Sequence, residues 1–159
     1  MQVIRNVSFE MVLAAFTEEN RKTETNQGNN AFNWTVNELK KSQAELPDQW
    51  KLVTLCKSDI LGIMIRGGHE HSIHGAGPLI RRDETISIAG AAERLRSLDK
   101  AKIPECWDNI CYQKSRDISQ THLFLRAADD LLWHIDGLHR MLAWVLFKGE
   151  GTVPVFVVG

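Results

Sequence analysis

Hydrophobic residues recur along this chain in two periods, and the switches between them mark out its elements. Ser8 is followed by Phe9, Val12, Leu13 and Phe16, and this i, i+3, i+4, i+7 spacing behind a capping residue predicts a short amphipathic helix. A second helix is expected from about Thr35, where Thr35 and Glu38 stand at capping-box spacing and Val36 and Leu39 supply an apolar edge; Pro47 should end it. The polar, Asn-rich stretch NRKTETNQGNNAFN between them reads as a connection rather than a domain boundary. QWKLVTLCKSDILGIMI alternates and then runs apolar, as a strand followed by a short turn or helix would. Ile88, Ala92, Leu95 and Leu98 share one helical face, with Glu93, Arg94 and Arg96 elsewhere. From Asp99 to Gln120 no period dominates. THLFLRA and LLWHI read as strands joined by a polar turn at Asp129 and Asp130, a hairpin. Leu138, Met141, Leu142 and Val145 then recur as in a helix, and TVPVFVVG closes the chain as a strand. No internal repeat interrupts this order.

Composition narrows the class. The 159 residues suit one domain, and 43% hydrophobic with 25% charged residues is the balance of an ordinary globular protein. A formal net charge of −1 argues against a partner held along its phosphate backbone, so no nucleic acid is expected. The three cysteines, Cys56, Cys106 and Cys111, form no CxxC pair and fit reduced thiols better than a zinc ribbon or a disulfide framework. The N-terminal apolar run is interrupted by Glu10, and no run approaches the roughly 20 residues that span a bilayer. The expectation is a cytoplasmic chain with no membrane partner.

One stretch carries chemistry. In LLWHIDGLHRMLAW the reading is a strand to Ile135, a turn at Asp136 and Gly137, and a helix from about Leu138. The first turn of a helix offers unpaired N–H groups at the positive end of its dipole, a ready anion site. Gly137 allows close backbone approach, while His139 and Arg140 add donors at that end, the arginine as a fork suited to phosphate. Asp136 could orient either of them, help hold a metal bound to phosphates, or cap the helix.

Strand, D-G-x-H-R turn, helix and VPV-type strand together resemble the ParB/sulfiredoxin-like superfamily, over Leu131 to Gly159 and more weakly from Trp50 to Gly75. The resemblance implies an α+β fold: a mixed β-sheet with packed helices, an N-terminal helical extension (1–49) and a core (50–159) with an inserted helix. In that superfamily the turn and helix start bind nucleotide phosphates. Leu138 stands where sulfiredoxins have a catalytic cysteine, so no sulfinic-acid reductase is implied; Leu138 and His139 also depart from the G-E-R-R box of chromosome-partitioning ParB proteins, so centromere binding is not expected. The pattern is closest to the D-G-H-H-R of the small free-serine kinases, matched by Asp136, Gly137, His139 and Arg140, with Leu138 replacing the first histidine. Those kinases carry an upstream catalytic glutamate, and GGHEHSIHG puts Glu70 in the corresponding order. The resemblance thus implies a kinase that uses ATP or ADP with Mg2+ to phosphorylate the hydroxyl of a free amino acid or similar polar metabolite. Glu70 would be the base, and Asp136, Gly137, His139 and Arg140 the phosphate site.

Two rival readings stand beside it. A nucleotide-binding or partner module without turnover is favoured by Leu138. A metal-dependent enzyme would use His69, His71 and His74 with Glu70, although their spacing matches neither HExxH nor a cupin-like pattern; otherwise these histidines form a substrate loop. Arg66, Arg81 and Arg82 flank that loop and could meet an anionic ligand. The five tryptophans are read as core or core-edge residues, with Trp133 and Trp144 as possible walls of a base pocket, and His134 as a surface residue.

Overall fold

The computed structural model describes residues 1–21, 30–68, 76–118 and 121–159. In chain order the elements are β1 (Gln2–Asn6), α1 (Phe9–Arg21), α2 (Asn30–Glu45), β2 (Trp50–Leu55), α3 (Lys57–Leu61), β3 (Met64–Arg66), β4 (Thr85–Ser87), α4 (Ile88–Ser97), α5 (Pro104–Ser115), β5 (Leu123–Ala128), β6 (Leu131–Asp136), α6 (Leu138–Phe147) and β7 (Val153–Val158). The architecture is α+β, a mixed sheet with packed helices. A seven-stranded mixed sheet runs β1-β2-β7-β5-β6-β3-β4. β5 with β7 and β3 with β6 are the parallel pairs, and the other neighbours are antiparallel.

Each face of the sheet is covered. Val153, Val155 and Val157 of β7 enter the larger core with α3, α4, α5 and α6, whereas Phe156 and Val158 enter the smaller one. A strand buried on both faces reads as a continuous apolar run, which is why VPVFVV is so legible. The smaller core is built by the N-terminal segment. Val12 and Phe16 of α1 and Leu39 of α2 pack on Trp50, Phe124, Ile135 and Phe156. Phe124 lies between Phe16, edge-on at 5.6 Å, and Phe156, stacked at 5.5 Å. Burying rings of this size stabilises by about 1.5–3 kcal/mol each, so α1 and α2 act as a layer of the fold.

Several local expectations change. β1 was not foreseen, because all five of its residues are exposed and no apolar face marks it as a strand. α2 begins at Asn30, which makes Thr35 a buried interior residue rather than a cap. The ambiguous middle stretch contains a 3-10 turn and α5, of which only Cys106 and Ile110 are buried, too few to print a period on the sequence. The apolar run before Arg66 divides into α3 and β3.

The hairpin between β5 and β6 turns at Asp129 and Asp130, with φ of 53° and 60°, the left-handed pair that a two-residue hairpin needs. No helix among the described residues is long and apolar enough to cross a membrane.

Candidate functional site

β6 ends at Asp136 and α6 starts at Leu138, so the strand hands over to the helix where the sequence places it. Gly137 makes the junction at φ 108°, and a Cβ there would lie 2.5 Å from Leu123 Cδ2. Glycine is thus required both by conformation and by space. Leu138 is buried in the larger core. His139 is half-buried on the first turn.

Arg140 is turned inward. Its side chain is only 8% exposed; Nη2 donates to Asp136 Oδ2, and Nη1 lies 3.2 Å from Glu19 Oε1. Arg116, just past the end of α5, reaches the same Glu19 oxygen at 2.7 Å. The fork expected to face a phosphate is therefore committed to two carboxylates, and it ties α1, α5 and α6 together. Glu19 was missed in reading the sequence, although the signal is there: it continues the apolar stripe of Val12 and Phe16, so a carboxylate falls on the buried face of α1. A recess along the flank of α6, lined by Arg116, Arg140, Trp144 and Lys148, has a volume of only about 10 Å³. That is room for about one water and none for a phosphate.

The neighbouring corner is built differently. Because β3 runs parallel to β6, with Met64 beside Trp133, the C-terminal end of β3 at Arg66, Gly67 and Gly68 lies at the same end of the sheet as Asp136. Gly67 donates its N–H to Glu84 O at 2.7 Å, and a Cβ at Gly67 would stand 1.9 Å from Arg81 O. Glu84 is braced in turn. It accepts from Arg94 Nη2 at 3.0 Å and from Arg81 N at 2.7 Å, while Arg94 Nη1 also donates to Leu79 O. The Arg94 guanidinium holds the Glu84 carboxyl below the usual carboxylate range; burial opposes it as the next largest effect, and the Arg81 amide adds a smaller lowering. Arg66 lies over the Trp133 ring at 5.1 Å. Arg66, Arg81 and Arg82 are exposed and make no ion pair with a described residue.

His69, Glu70, His71 and His74 lie outside the described residues. Among the described residues no three His, Cys, Asp or Glu side chains converge as metal ligands. Trp144 is buried in the larger core whereas Trp133 sits beneath Arg66, so the two contribute to different surroundings. Trp34 is 41% exposed, where a core or core-edge position is expected. His134 is half-buried rather than a surface residue. Cys106 is buried, and burial pushes its thiol up to about 11; Cys111, on the same helix, is exposed.

No curated protein and no solved structure matches the chain. A family model described as a family of unknown function, DUF6309, matches residues 1–159, and the chain belongs to that family.

Proposed function

We propose that the chain is a nucleotide-dependent phosphotransferase with a ParB/sulfiredoxin-like core, acting from ATP or ADP with Mg2+ on the hydroxyl of a free amino acid or similar polar metabolite. The observation that carries this reading is the handover from β6 through left-handed Gly137 into α6. It directs the first-turn amides of α6 to the end of the sheet where the parallel strand β3 also finishes. Ligands of open sheets collect outside the carboxyl ends of parallel strands, and helix N-termini attract phosphate. In this reading His139 and the amides meet the nucleotide, Arg140 fixes Asp136 beside them, and Mg2+ is carried mainly by the phosphates. Glu70 is the base proposed for the acceptor hydroxyl. It would take the hydroxyl proton as the oxygen attacks the terminal phosphorus and the nucleotide leaves.

Calorimetric titration of ATP and ADP with Mg2+, followed by phosphorus NMR of mixtures with hydroxy amino acids, tests the reading. Binding is expected, weakened by about 1–2 kcal/mol in His139→Ala, together with a new phosphomonoester signal. Glu70→Gln should keep the binding and lose most of the turnover. Failure of both nucleotides to bind would overturn the reading, and full turnover by Glu70→Gln would remove Glu70 from it.

A second reading, a nucleotide-binding module without turnover, is favoured by two observations: buried Leu138 offers no donor, and Arg140 is held by Asp136 and Glu19. Binding without a new phosphoester would select it.

A further inference from the structure

We infer that the β3–β4 corner is a polyphosphate-binding site, in which Arg66, Arg81 and Arg82 receive the anionic groups that inward-turned Arg140 does not face. The inference rests on the nucleotide reading for its biological ligand, but its chemistry is that of any condensed phosphate. Arg81 and Arg82 lie against Gly67 through their backbone: their carbonyl oxygens are 1.9 Å and 3.0 Å from where a Gly67 Cβ would stand. Arg66 is the residue before that glycine, paired with Thr85 across the strand register. One backbone crossing therefore gathers three guanidinium-bearing residues.

Among the described residues none of the three forms a salt bridge, although the charge of Arg81 also acts on the Glu84 carboxylate. Glu84 is occupied by Arg94 and by the Arg81 amide, which leaves exposed Asp83 as the other carboxylate of the segment from Arg81 to Thr85. Three exposed arginines with no ion-pair partner among the described residues are concentrated here. Elsewhere among the described residues, Arg94, Arg96, Arg116, Arg126 and Arg140 carry ion pairs, while exposed Arg5 stands alone on β1 and donates to Met11 Sδ. The corner is also pre-organised. The Arg66 guanidinium lies over the Trp133 ring at 5.1 Å, a contact with the ring face that involves none of its hydrogen-bond donors. The Glu84 brace holds the backbone of Arg81 in place. The corner adjoins the C-terminal end of β3, which pairs in parallel with β6 at the end of the sheet where α6 begins.

The probe is inorganic tripolyphosphate, titrated calorimetrically into the full chain at low and at moderate salt. Arg66→Ala, Arg81→Ala and Arg82→Ala should each weaken binding about tenfold, as loss of a charged hydrogen bond does. Arg5→Ala, which removes one charge from strand β1 at the far edge of the sheet, should change it less than about twofold. Arg82→Lys keeps the charge without the fork and should fall between wild type and Arg82→Ala. Thermal melts verify that each variant is folded. Absence of tripolyphosphate binding, or equal losses in Arg5→Ala and the three corner variants, would overturn the inference.

The ATP titration separates it from the reading on which it rests. ATP binding that is indifferent to the three arginines removes the corner and leaves the phosphotransferase standing. Arginine-dependent tripolyphosphate binding with no phosphoryl transfer from ATP supports the corner and removes the phosphotransferase.

Discussion

Two arginine-bearing regions meet at one end of the sheet, and they use the same side chain in opposite ways. At the β6–α6 handover Arg140 is buried and divided between Asp136 and Glu19. At the β3–β4 corner Arg66, Arg81 and Arg82 are exposed and form no salt bridge with a described residue, Arg66 resting over Trp133. A guanidinium inside a protein must be neutralised and hydrogen-bonded, so its donors are no longer available to a ligand. One at the surface keeps its donors and adds little to stability. The residue that stands out in the sequence, because it completes a motif, is thus the one the fold uses as a fastener. The less conspicuous ones are left free to bind.

This contrast is most open to attack at its buried end. Arg140→Met should destabilise the chain by about 3–5 kcal/mol, because Asp136 and Glu19 lose a partner and Glu19 stays buried. Chemical denaturation checks it, and a loss below 1 kcal/mol would mean that the guanidinium is readily replaced and free to serve a ligand. Glu19→Gln should cost less than this, and the double variant less than the sum of the two, with a coupling of about 1–3 kcal/mol. Additivity would show that the Glu19–Arg140 contact does not tie α1 to α6.

Gly137→Ala should come next, at about 2–3 kcal/mol, since a positive φ and contact with Leu123 oppose the added methyl together. A thermal melt of this variant unchanged from wild type would remove the requirement for glycine at the handover.

What could be read in advance follows from how each region announces itself. The handover was legible because strand, glycine and amphipathic helix each have a local signature, and the Asp129–Asp130 turn likewise needs only two residues to specify it. The layer roles of α1 and α2 were not, since periodicity shows that a helix has an apolar face but not which surface covers it. Asp136 could be named as a partner of Arg140 from its place one turn away, but the second partner was hidden for a related reason: Glu19 is far away in sequence, and only its position on the stripe of Val12 and Phe16 hints at burial. The link between β3 and β6 depends on parallel pairing across a long separation, and β3, with three residues, is too short to show a period. Residues around Gly67 could be named from sequence, but their neighbourhood is a product of topology.

The brace that holds the corner is expected to depend on pH. The Glu84 carboxyl is depressed below its ordinary value of 4.5, chiefly by Arg94. The unfolded chain therefore binds a proton at Glu84 before the folded one does as pH falls. The stabilisation is complete above the ordinary value and is lost as pH drops through the lower, folded one. With both side chains partly exposed, the contribution should be about 1–2 kcal/mol. Urea midpoints of wild type and Glu84→Gln should differ at about pH 6 and draw together as pH falls below the ordinary carboxylate value. A difference that does not shrink on acidification would mean that Glu84 acts by packing rather than by charge.

The smallest expected effect is the one that completes the comparison. Arg82→Ala removes an exposed cation with no ion pair to a described residue, so folding stability should change by less than about 0.5 kcal/mol. Measured in the same denaturation series as Arg140→Met, the two arginine deletions should therefore differ by about 3 kcal/mol or more. A loss near that of Arg140→Met would place Arg82 among the fasteners and would dissolve the distinction between the two regions. A neutral result would leave Arg82 to be explained by what it meets in solution rather than by what it holds inside the chain.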